Sequence, residues 1–170
     1  YSSPGIGNGQ HLAGELLSIK TGIRILHVPY KGSSPAMAAL LSGEVHLTFP
    51  TPTTGLPHVK AGRLRALGFS GSSRLPSLPD VPTIAEAGVP GYYFDVAWHA
   101  WFAPAKTPPA IARRLYTEVK KAIQEPKLVE FLRAGGFEPQ GDPPAEFAKI
   151  FRADIRRYAE IVKAAGIQPE

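Results

Sequence analysis

The stretch Ser3-Pro-Gly5-Ile-Gly7-Asn8-Gly9 is a glycine-rich loop that leads directly into a segment with one apolar face. Apolar side chains recur in that segment at helical spacing, at Leu12, Leu16 and Ile19. The spacing predicts a helix over residues 11–20 that begins near Asn8 or Gly9. The first amide groups of a helix have no intrahelical partners and receive anions, so this loop is a candidate anion site. A plain turn in which Asn8 caps the helix is the alternative.

Two later turns have the same order of strand end, short loop and helix start. They are Val28-Pro-Tyr-Lys-Gly-Ser-Ser34 and Phe49-Pro50-Thr51-Pro-Thr53. In the first of these, Tyr30 could orient a ligand while Gly32 and Ser33 present amide and hydroxyl donors. Each turn by itself is equally consistent with an ordinary β–α connection. Because the carboxyl ends of parallel strands meet at one edge of a sheet, we expect the three loops to line one site.

The first seventy residues alternate helix and strand. Apolar patterns predict strands over residues 23–28, 45–49 and 64–69. Between them lie a helix with a stripe at Met37, Leu40 and Leu41, which ends at Gly43, and a brief helix that ends at Gly62. This order, αβαβαβ, predicts an α/β fold with a mostly parallel sheet flanked by helices.

Beyond residue 70 the pattern changes. Residues 71–91 are rich in proline and glycine, which predicts an irregular connection with one helical turn at residues 83–87. The aromatic stretch 92–102 favours a long strand. Three amphipathic helices follow Pro104, with stripes at Ile111, Leu115, Val119 and Ala122, at Leu128, Phe131 and Leu132, and at Phe147, Phe151, Ile155, Tyr158 and Val162.

The composition excludes several classes of protein. With 170 residues, of which 44% are hydrophobic, the chain can bury a core. It has no cysteine, which excludes disulfides, thiolate metal sites and a cysteine nucleophile. Its net charge of +5 comes from interspersed charges of both signs, so a nucleic-acid partner is not required. No run of about eighteen apolar residues is present.

Catalytic, metal and cofactor motifs are also missing from the sequence. His11 and Glu15 share a helix face, but two ligands do not make a metal site, and the other histidines lack companion spacing. There is no GxSxG motif, and no histidine is placed by sequence to activate Ser33 or Ser34. The glycine loop matches neither GxGxxG after a strand nor a P-loop. We therefore expect no catalytic residue, no metal and no cofactor.

Several motifs carry a resemblance to a known family. In chain order they are Gly5-Ile-Gly-Asn-Gly-Gln-His11-Leu12, His27-Val-Pro-Tyr-Lys-Gly32, Gly43-Glu-Val-His-Leu47, Pro57-His-Val-Lys-Ala-Gly62-Arg-Leu-Arg-Ala66, Arg74, Leu78-Pro-Asp-Val-Pro-Thr83, Glu86-Ala-Gly88, and Phe102-Ala-Pro104 before Thr107-Pro108. Over essentially all 170 residues, the chain resembles the Bug-type solute-binding receptors of tripartite tricarboxylate transporters.

The resemblance implies a fold of two α/β lobes around a cleft, like that of type II periplasmic binding proteins. Residues 1–100 resemble the second lobe with its return crossover. Residues 101–170 resemble the C-terminal helical segment, which would pack on the first lobe. That first lobe and a signal peptide are not in this sequence, so we expect a truncated form of a periplasmic parent protein.

The resemblance also implies a site and a ligand. The ligand-binding positions that it assigns are Ser3, Gly5, Gly7, Asn8, Gly9, Gly32, Ser33, Pro50 and Thr51. To these we add Tyr30, from its position in the second loop. Family members that take amino acids resemble one another in having an aspartate where this chain has Pro50. Because an unpaired buried ammonium is costly, we expect a carboxylate without an amino group, either a di- or tricarboxylate or an aromatic acid.

The resemblance implies a transport role in which the protein delivers its solute to a membrane permease. It implies no enzymatic activity and no nucleic-acid partner. Two alternatives stay open from the residues alone, namely an anion-dependent hydrolase-like enzyme that uses His11 or Ser33, and a basic nucleic-acid-binding module. We further expect the stripe with Phe147, Phe151, Tyr158 and Val162 to be exposed, so that the chain repacks these helices or self-associates, and half a cleft to bind solute weakly.

Overall fold

The sheet at the centre of the fold is short and parallel. In the computed structural model, which describes residues 1–95 and 99–168, strand β1 (Ser2–Ser3) pairs in parallel with β2 (Val28–Pro29). Ser2 also forms an isolated parallel bridge with Thr48, and its amide donates to the carbonyl of Leu47. Strand β1 therefore lies between the other two segments, and the predicted parallel arrangement is confirmed.

The described residues contain six helices, and these agree with the predicted periodicity. They are α1 (Gly9–Thr21), α2 (Ser33–Leu41), α3 (Pro52–Lys60), α4 (Pro109–Ala122), α5 (Pro126–Ala134) and α6 (Pro144–Ala164). Helix α1 begins after Asn8, and α2 and α3 end just before Gly43 and Gly62, as predicted. Residues 84–88 form a turn, in which the amide of Ala87 donates to the carbonyl of Thr83.

The strands are shorter than the sequence predicted. Of residues 23–28 only Val28 is paired, residues 45–49 pair only at Thr48, and residues 64–69 pair only at Phe69, which bridges Thr83. Strand β1, which the sequence did not predict, occupies the centre and has only two residues. A ladder cannot extend beyond its shortest strand, so most residues of the predicted strands 23–28 and 45–49 belong to no strand in the described chain.

The predicted strand over residues 92–102 is not found where the structure describes it. Residues 92–95 and 99–102 belong to no strand, and residues 96–98 lie outside the described residues. The amide of Phe94 makes a single bond to the carbonyl of Ser70. Apolar burial rather than ladder formation accounts for Tyr92 and Phe94, which are both buried, whereas Trp101 and Phe102 are exposed.

The described residues fall into two compact units. The first comprises residues 1–95 and 157–168, and its core is one apolar cluster of Tyr1, Leu12, Ala13, Leu16, Phe49, Tyr92, Phe94 and Ile161. Tyr158 and Val162 pack against this cluster, so the expectation that these two residues are exposed was wrong. The partition differs from the boundary predicted near residue 100 because the C-terminal end of α6 contributes to this core.

The second unit comprises residues 99–156 and is built on α4, α5 and the first part of α6. Phe102 contacts the rings of Phe147 and Phe151, with centroids 6.1 and 5.6 Å away. Helices α4 and α5, all of whose residues are described, contain no buried side chain. Within the described residues, none of the helices combines the length and apolar character that crossing a membrane requires.

Candidate functional site

Three short loops meet at the carboxyl edge of the sheet. Loop 1 (residues 4–8) joins β1 to α1, loop 2 (residues 30–32) joins β2 to α2, and loop 3 (residues 50–51) leads from the segment of Thr48 to α3. The amides of Tyr30 and Gly32 donate to the carbonyls of Ser3 and Pro4, at 2.9 and 3.0 Å, which ties loop 2 to loop 1. Loop 3 follows the bridge between Ser2 and Thr48 on the opposite edge of β1. The structure thus brings the predicted site residues to one edge.

Asn8 organises the end of loop 1. Its side-chain oxygen accepts from the amides of Gln10 and His11, at 2.8 and 3.0 Å, and its side-chain nitrogen donates to the carbonyl of Gly5. Asn8 is therefore the N-cap of α1, which was the alternative interpretation of this loop. The cap occupies two of the amides that an anion would otherwise bind, so α1 offers a ligand fewer donors than its sequence suggested.

The hydroxyl of Ser3 holds the start of loop 1. It donates to the carbonyl of Gly5 at 2.9 Å and accepts from the amide of Gly5 at 3.2 Å. The same oxygen lies 2.6 Å from Nε2 of His27. Ser3 has a relative exposure of 0%, so in this conformation its side chain supports the loop from beneath rather than lining an open surface.

Two imidazoles lie beneath loop 1. The rings of His11 and His27 stack with centroids 3.8 Å apart and planes 10° apart. The amide of Gly7, a residue with φ of 74°, donates to Nδ1 of His11 at 3.0 Å. That bond leaves the proton of neutral His11 on Nε2, which lies 3.7 Å from Oε1 of Glu15. Sequence patterns gave no signal for this pair, because its members are sixteen residues apart and belong to different elements.

Burial disfavours the protonated form of both imidazoles. Desolvation lowers the pKa of His27 to about 4, and neighbouring His11 acts in the same direction. Desolvation also lowers the pKa of His11, although the carboxylate of Glu15 opposes the effect. Neutral His11 can accept the amide of Gly7, whereas its protonated form cannot.

Loop 2 leads into helix α2 at the same edge of the sheet, and the N-terminus of α2 has no side-chain cap. Gly32, the N-cap of α2, has φ of 113°, a conformation that favours glycine. Among the described residues no side chain bonds to the first amides of α2. Ser33 is exposed there, while the hydroxyl of Tyr30 donates to Oε1 of Glu44 at 2.7 Å. The amides and hydroxyl at Ser33 are thus the more available donors, and Tyr30 is held by Glu44.

Loop 3 carries a group of threonine hydroxyls. Oγ1 of Thr51 lies 2.8 Å from that of Thr53 and 3.1 Å from that of Thr54. Thr51 is the N-cap of α3, and no side-chain cap bond is made there within the described residues. Pro50 packs against Gly55, where an added Cβ would lie 3.0 Å from the proline ring. The sequence identified Thr51 and Pro50 but not the hydroxyl of Thr54.

The charge at this edge favours an anion. Loops 1, 2 and 3 contain no aspartate or glutamate, and loop 2 contains Lys31. In the described part of the chain, no group of three or more potential ligands could hold a metal ion. The edge therefore presents amide, hydroxyl and ammonium donors, which is the chemistry that a carboxylate needs.

The close approach of Ser3 to His27 is also the geometry of a nucleophile and its base. Ser3 is fully buried, however, and the low pKa of His27 makes its imidazole a weak base. Ser33 is exposed, and the described contacts do not join it to His11, which is bonded to Gly7. Neither pairing is arranged for attack on a substrate.

Comparisons with known proteins identify the family of the chain. A family model described as "Tripartite tricarboxylate transporter family receptor" matches residues 1–167. A curated relative, the UPF0065 protein in the tcbD-tcbE intergenic region of Pseudomonas sp. (strain P51), is 39% identical over 163 residues, which are 95% of this chain and 48% of the relative.

Two solved structures are similar over nearly the whole chain. The structure described as "R. palustris Rpa4515 with adipate" is 38% identical with a TM-score of 0.86, covering 100% of this chain and 56% of that one. The periplasmic binding protein BugD is 31% identical with a TM-score of 0.83, covering 99% of this chain and 57% of that one. These similarities confirm the predicted periplasmic-binding-protein-like fold. The chain spans about half the length of the proteins named here.

Proposed function

The chain belongs to the tripartite tricarboxylate transporter receptor family, and from that premise we propose that its strand-end loops form one wall of a carboxylate-binding cleft. The observation that carries the proposal is the meeting of loops 1, 2 and 3 at one edge of the sheet. Two helix starts at that edge, those of α2 and α3, have no side-chain cap among the described residues. The amides of Ser33, Ser34 and Thr53 are suited to an anionic group, whereas Pro35 and Pro52 in the same first turns have no N–H.

The ligand class follows from what the loops contain. They have hydroxyls at Ser33 and Thr51, the ammonium of Lys31 and no carboxylate. A dicarboxylate such as adipate, with which the R. palustris relative is described, matches these donors. A tricarboxylate or an aromatic acid has the same anionic group. An amino acid would bring an ammonium group for which the loops offer no partner, and burying it unpaired is unfavourable.

The transport role is the part of the proposal that goes furthest beyond this chain. We propose that the parent protein is periplasmic, captures the carboxylate between two lobes and passes it to a membrane permease without chemical change. Residues 1–100 would form the second lobe with its return crossover. Helices α4 and α5, in which Leu115 and Phe131 are exposed, would pack on a first lobe outside this sequence. This arrangement is supported by the fact that the chain covers only about half the length of its relatives.

The direct test is a titration of the isotopically labelled chain with adipate, followed by NMR. Half a cleft should bind weakly, so millimolar adipate is the probe, and it should shift the amide resonances of loops 1, 2 and 3 together with those of Ser33 and Thr53. Adipamide, which has the same length without charge, is the matched control and should shift none of them. Aminocaproate, in which an ammonium replaces one carboxylate, should bind more weakly than adipate.

Two results would contradict the proposal. One is a set of shifts confined to residues away from the three loops. The other is an equal response to adipate and adipamide, because that response would not depend on the anionic group.

A further inference from the structure

The imidazoles of His11 and His27 stack beneath loop 1. Among the described residues they are the only basic side chains that bond directly to loop 1 or to Ser3. His11 accepts the amide of Gly7 through Nδ1, and Nε2 of His27 lies 2.6 Å from the hydroxyl of Ser3. Ser3 in turn bonds to Gly5. The shape of loop 1 thus depends on two rings that come from different elements, the first turn of α1 and the segment before β2.

The bond between His11 and Gly7 depends on the protonation state of the ring. His27 acts instead through the charge that protonation adds, because the hydroxyl of Ser3 donates to Gly5 and therefore accepts Nε2–H of His27 in either state. When Nδ1 of His11 gains a proton it becomes a donor, so it faces the N–H of Gly7 with no acceptor between them. Protonation of both rings would also place two positive charges in stacked rings whose centroids are 3.8 Å apart. The first effect breaks the bond to loop 1, and the second separates the rings.

The groups that face this pair offer little compensation. From α1, Oε1 of Glu15 lies 3.7 Å from His11, but it already accepts the hydroxyl of Tyr1 at 2.7 Å. Ahead of β1, the ring of Tyr1 lies 5.0 Å from that of His27, and burial raises the pKa of its phenol, so it supplies no negative charge. The phenol of Tyr92, which packs in the same core, donates to the carbonyl of Ala13. One shared carboxylate therefore opposes two buried imidazolium charges.

We infer that His11 and His27 are positioning residues that hold loop 1 against strand β1 while neutral and release it when protonated. The burial of the pair places this release below the ordinary range of histidine titration. Release of the loop does not depend on any ligand. Its consequence, weaker binding of carboxylates in acid, rests on the proposed function.

The test follows the amide resonances of Gly5 and Gly7 and the ring carbons of the histidines, from about pH 7 to about pH 3, so that the titration passes below the pKa of His27. Both amides should move with the midpoints of the two rings. In His11→Asn the amide oxygen replaces Nδ1 as an acceptor that cannot titrate, so Gly7 should stay in place throughout. In His11→Leu the acceptor is lost, so Gly7 should have its acid-like position already at neutral pH.

Two further variants complete the design. His27→Gln retains a polar group opposite Ser3. It should remove the His27 midpoint from the pH dependence of the Gly5 amide resonance. His46→Gln, at an exposed histidine, is the control and should leave every midpoint unchanged. Circular dichroism at neutral pH tests whether each variant is folded. If His11→Asn is unfolded, the pH dependence of the Gly5 and Gly7 resonances in wild type and His27→Gln still tests the inference.

The inference is overturned if the Gly7 amide does not move while His11 titrates, or if His11→Asn retains the transition. Adipate separates this inference from the proposed function. Loop release without any adipate binding would support the inference and contradict the proposed function. Adipate binding that is equal in wild type and His11→Leu would contradict the link between the rings and the ligand, and leave the proposed function supported.

Discussion

Phe94 and Tyr158 stack with their ring centroids 5.1 Å apart, which joins the C-terminal end of α6 to the core of the first unit. The hydroxyl of Tyr158 donates to the carbonyl of Asp95 at 3.1 Å, and Ile161, one turn further on, is buried to 4% exposure. The last turns of the chain therefore complete the core on which α1 and the site loops rest.

Replacing Phe94 with alanine should cost stability. The ring is fully buried, at 0% exposure, so its removal leaves a cavity and should lower the free energy of unfolding by about 3–5 kcal/mol. Urea denaturation monitored by circular dichroism measures the change. Phe131→Ala is the control, since that ring is 74% exposed and its loss should change stability by about 0.5 kcal/mol or less. Equal losses in both variants would mean that Phe94 is not a core residue.

We expect the main role of Asn8 to be capping of helix α1 rather than contact with a ligand. Asn8→Ala removes the acceptor of two amides and should destabilise the chain by roughly 0.5–2 kcal/mol. Asn8→Asp retains that acceptor and adds a negative charge at a helix N-terminus, but it loses the donor to the carbonyl of Gly5, so its stability should lie between those of wild type and Asn8→Ala. The same charge should weaken adipate binding. Thermal unfolding and NMR titration measure the two effects, and an Asn8→Asp variant as unstable as Asn8→Ala would contradict the capping role.

Stability should fall as the solution is acidified below the ordinary histidine pKa. The unfolded chain binds protons on His27 near its reference pKa of 6.5, whereas burial lowers the folded pKa to about 4. The unfolded state therefore takes up the proton first, and the free energy of unfolding decreases from pH 6.5 toward pH 4. His11 contributes in the same direction. Urea midpoints measured across this range should flatten in the His11→Asn/His27→Gln double variant, and an unchanged slope would exclude these rings as the cause.

The sequence predicted the helices well because an apolar stripe at helical spacing is a local pattern, whether the structure buries it, as in α1, or leaves it without a buried side chain, as in α4 and α5. The stripe of Leu12 and Leu16 and the stops at Gly43 and Gly62 are local features, and α1, α2 and α3 follow them. Strands depend on partners elsewhere in the chain. Residues 23–28 have strand composition, yet only Val28 is paired, because the central partner β1 has two residues.

The sequence predicted which loops form the site but not the side-chain contacts that hold those loops in place. Three loops that follow parallel strands must meet at one edge, so Gly32, Ser33 and Thr51 could be placed there from order alone. The bond from His27 to Ser3 spans twenty-four positions and depends on the register of β1 against β2, which no local pattern encodes. The same limit explains why the sequence did not show that Ser3, a predicted ligand contact, is buried beneath the loop.

The chain should self-associate at high concentration. Trp101, Phe102 and Phe131, in the second unit, are 78%, 68% and 74% exposed, which is a large apolar surface for a monomer. Light scattering over a concentration series should show a mass that rises above that of one chain. Phe131→Glu should reduce the rise, while Lys127→Glu, which changes charge on the same helix without removing apolar surface, should not. A constant monomer mass in the wild type would contradict the expectation.

Pro50→Asp should change the ligand preference of the edge. The new carboxylate would precede the N-cap of α3, where a negative charge is tolerated, so the fold should survive. Repulsion between two carboxylates about 4 Å apart costs about 1–4 kcal/mol in partly hydrated surroundings, which predicts at least several-fold weaker adipate binding. Aminocaproate should gain affinity, because its ammonium would find a partner. Pro50→Asn is the control, because it removes the proline ring without adding charge. If Pro50→Asn weakens adipate binding as much as Pro50→Asp does, the loss of the ring, and not the new carboxylate, causes the change in ligand preference. NMR titrations of both variants with both ligands, read at Thr51 and Thr53, measure the outcome.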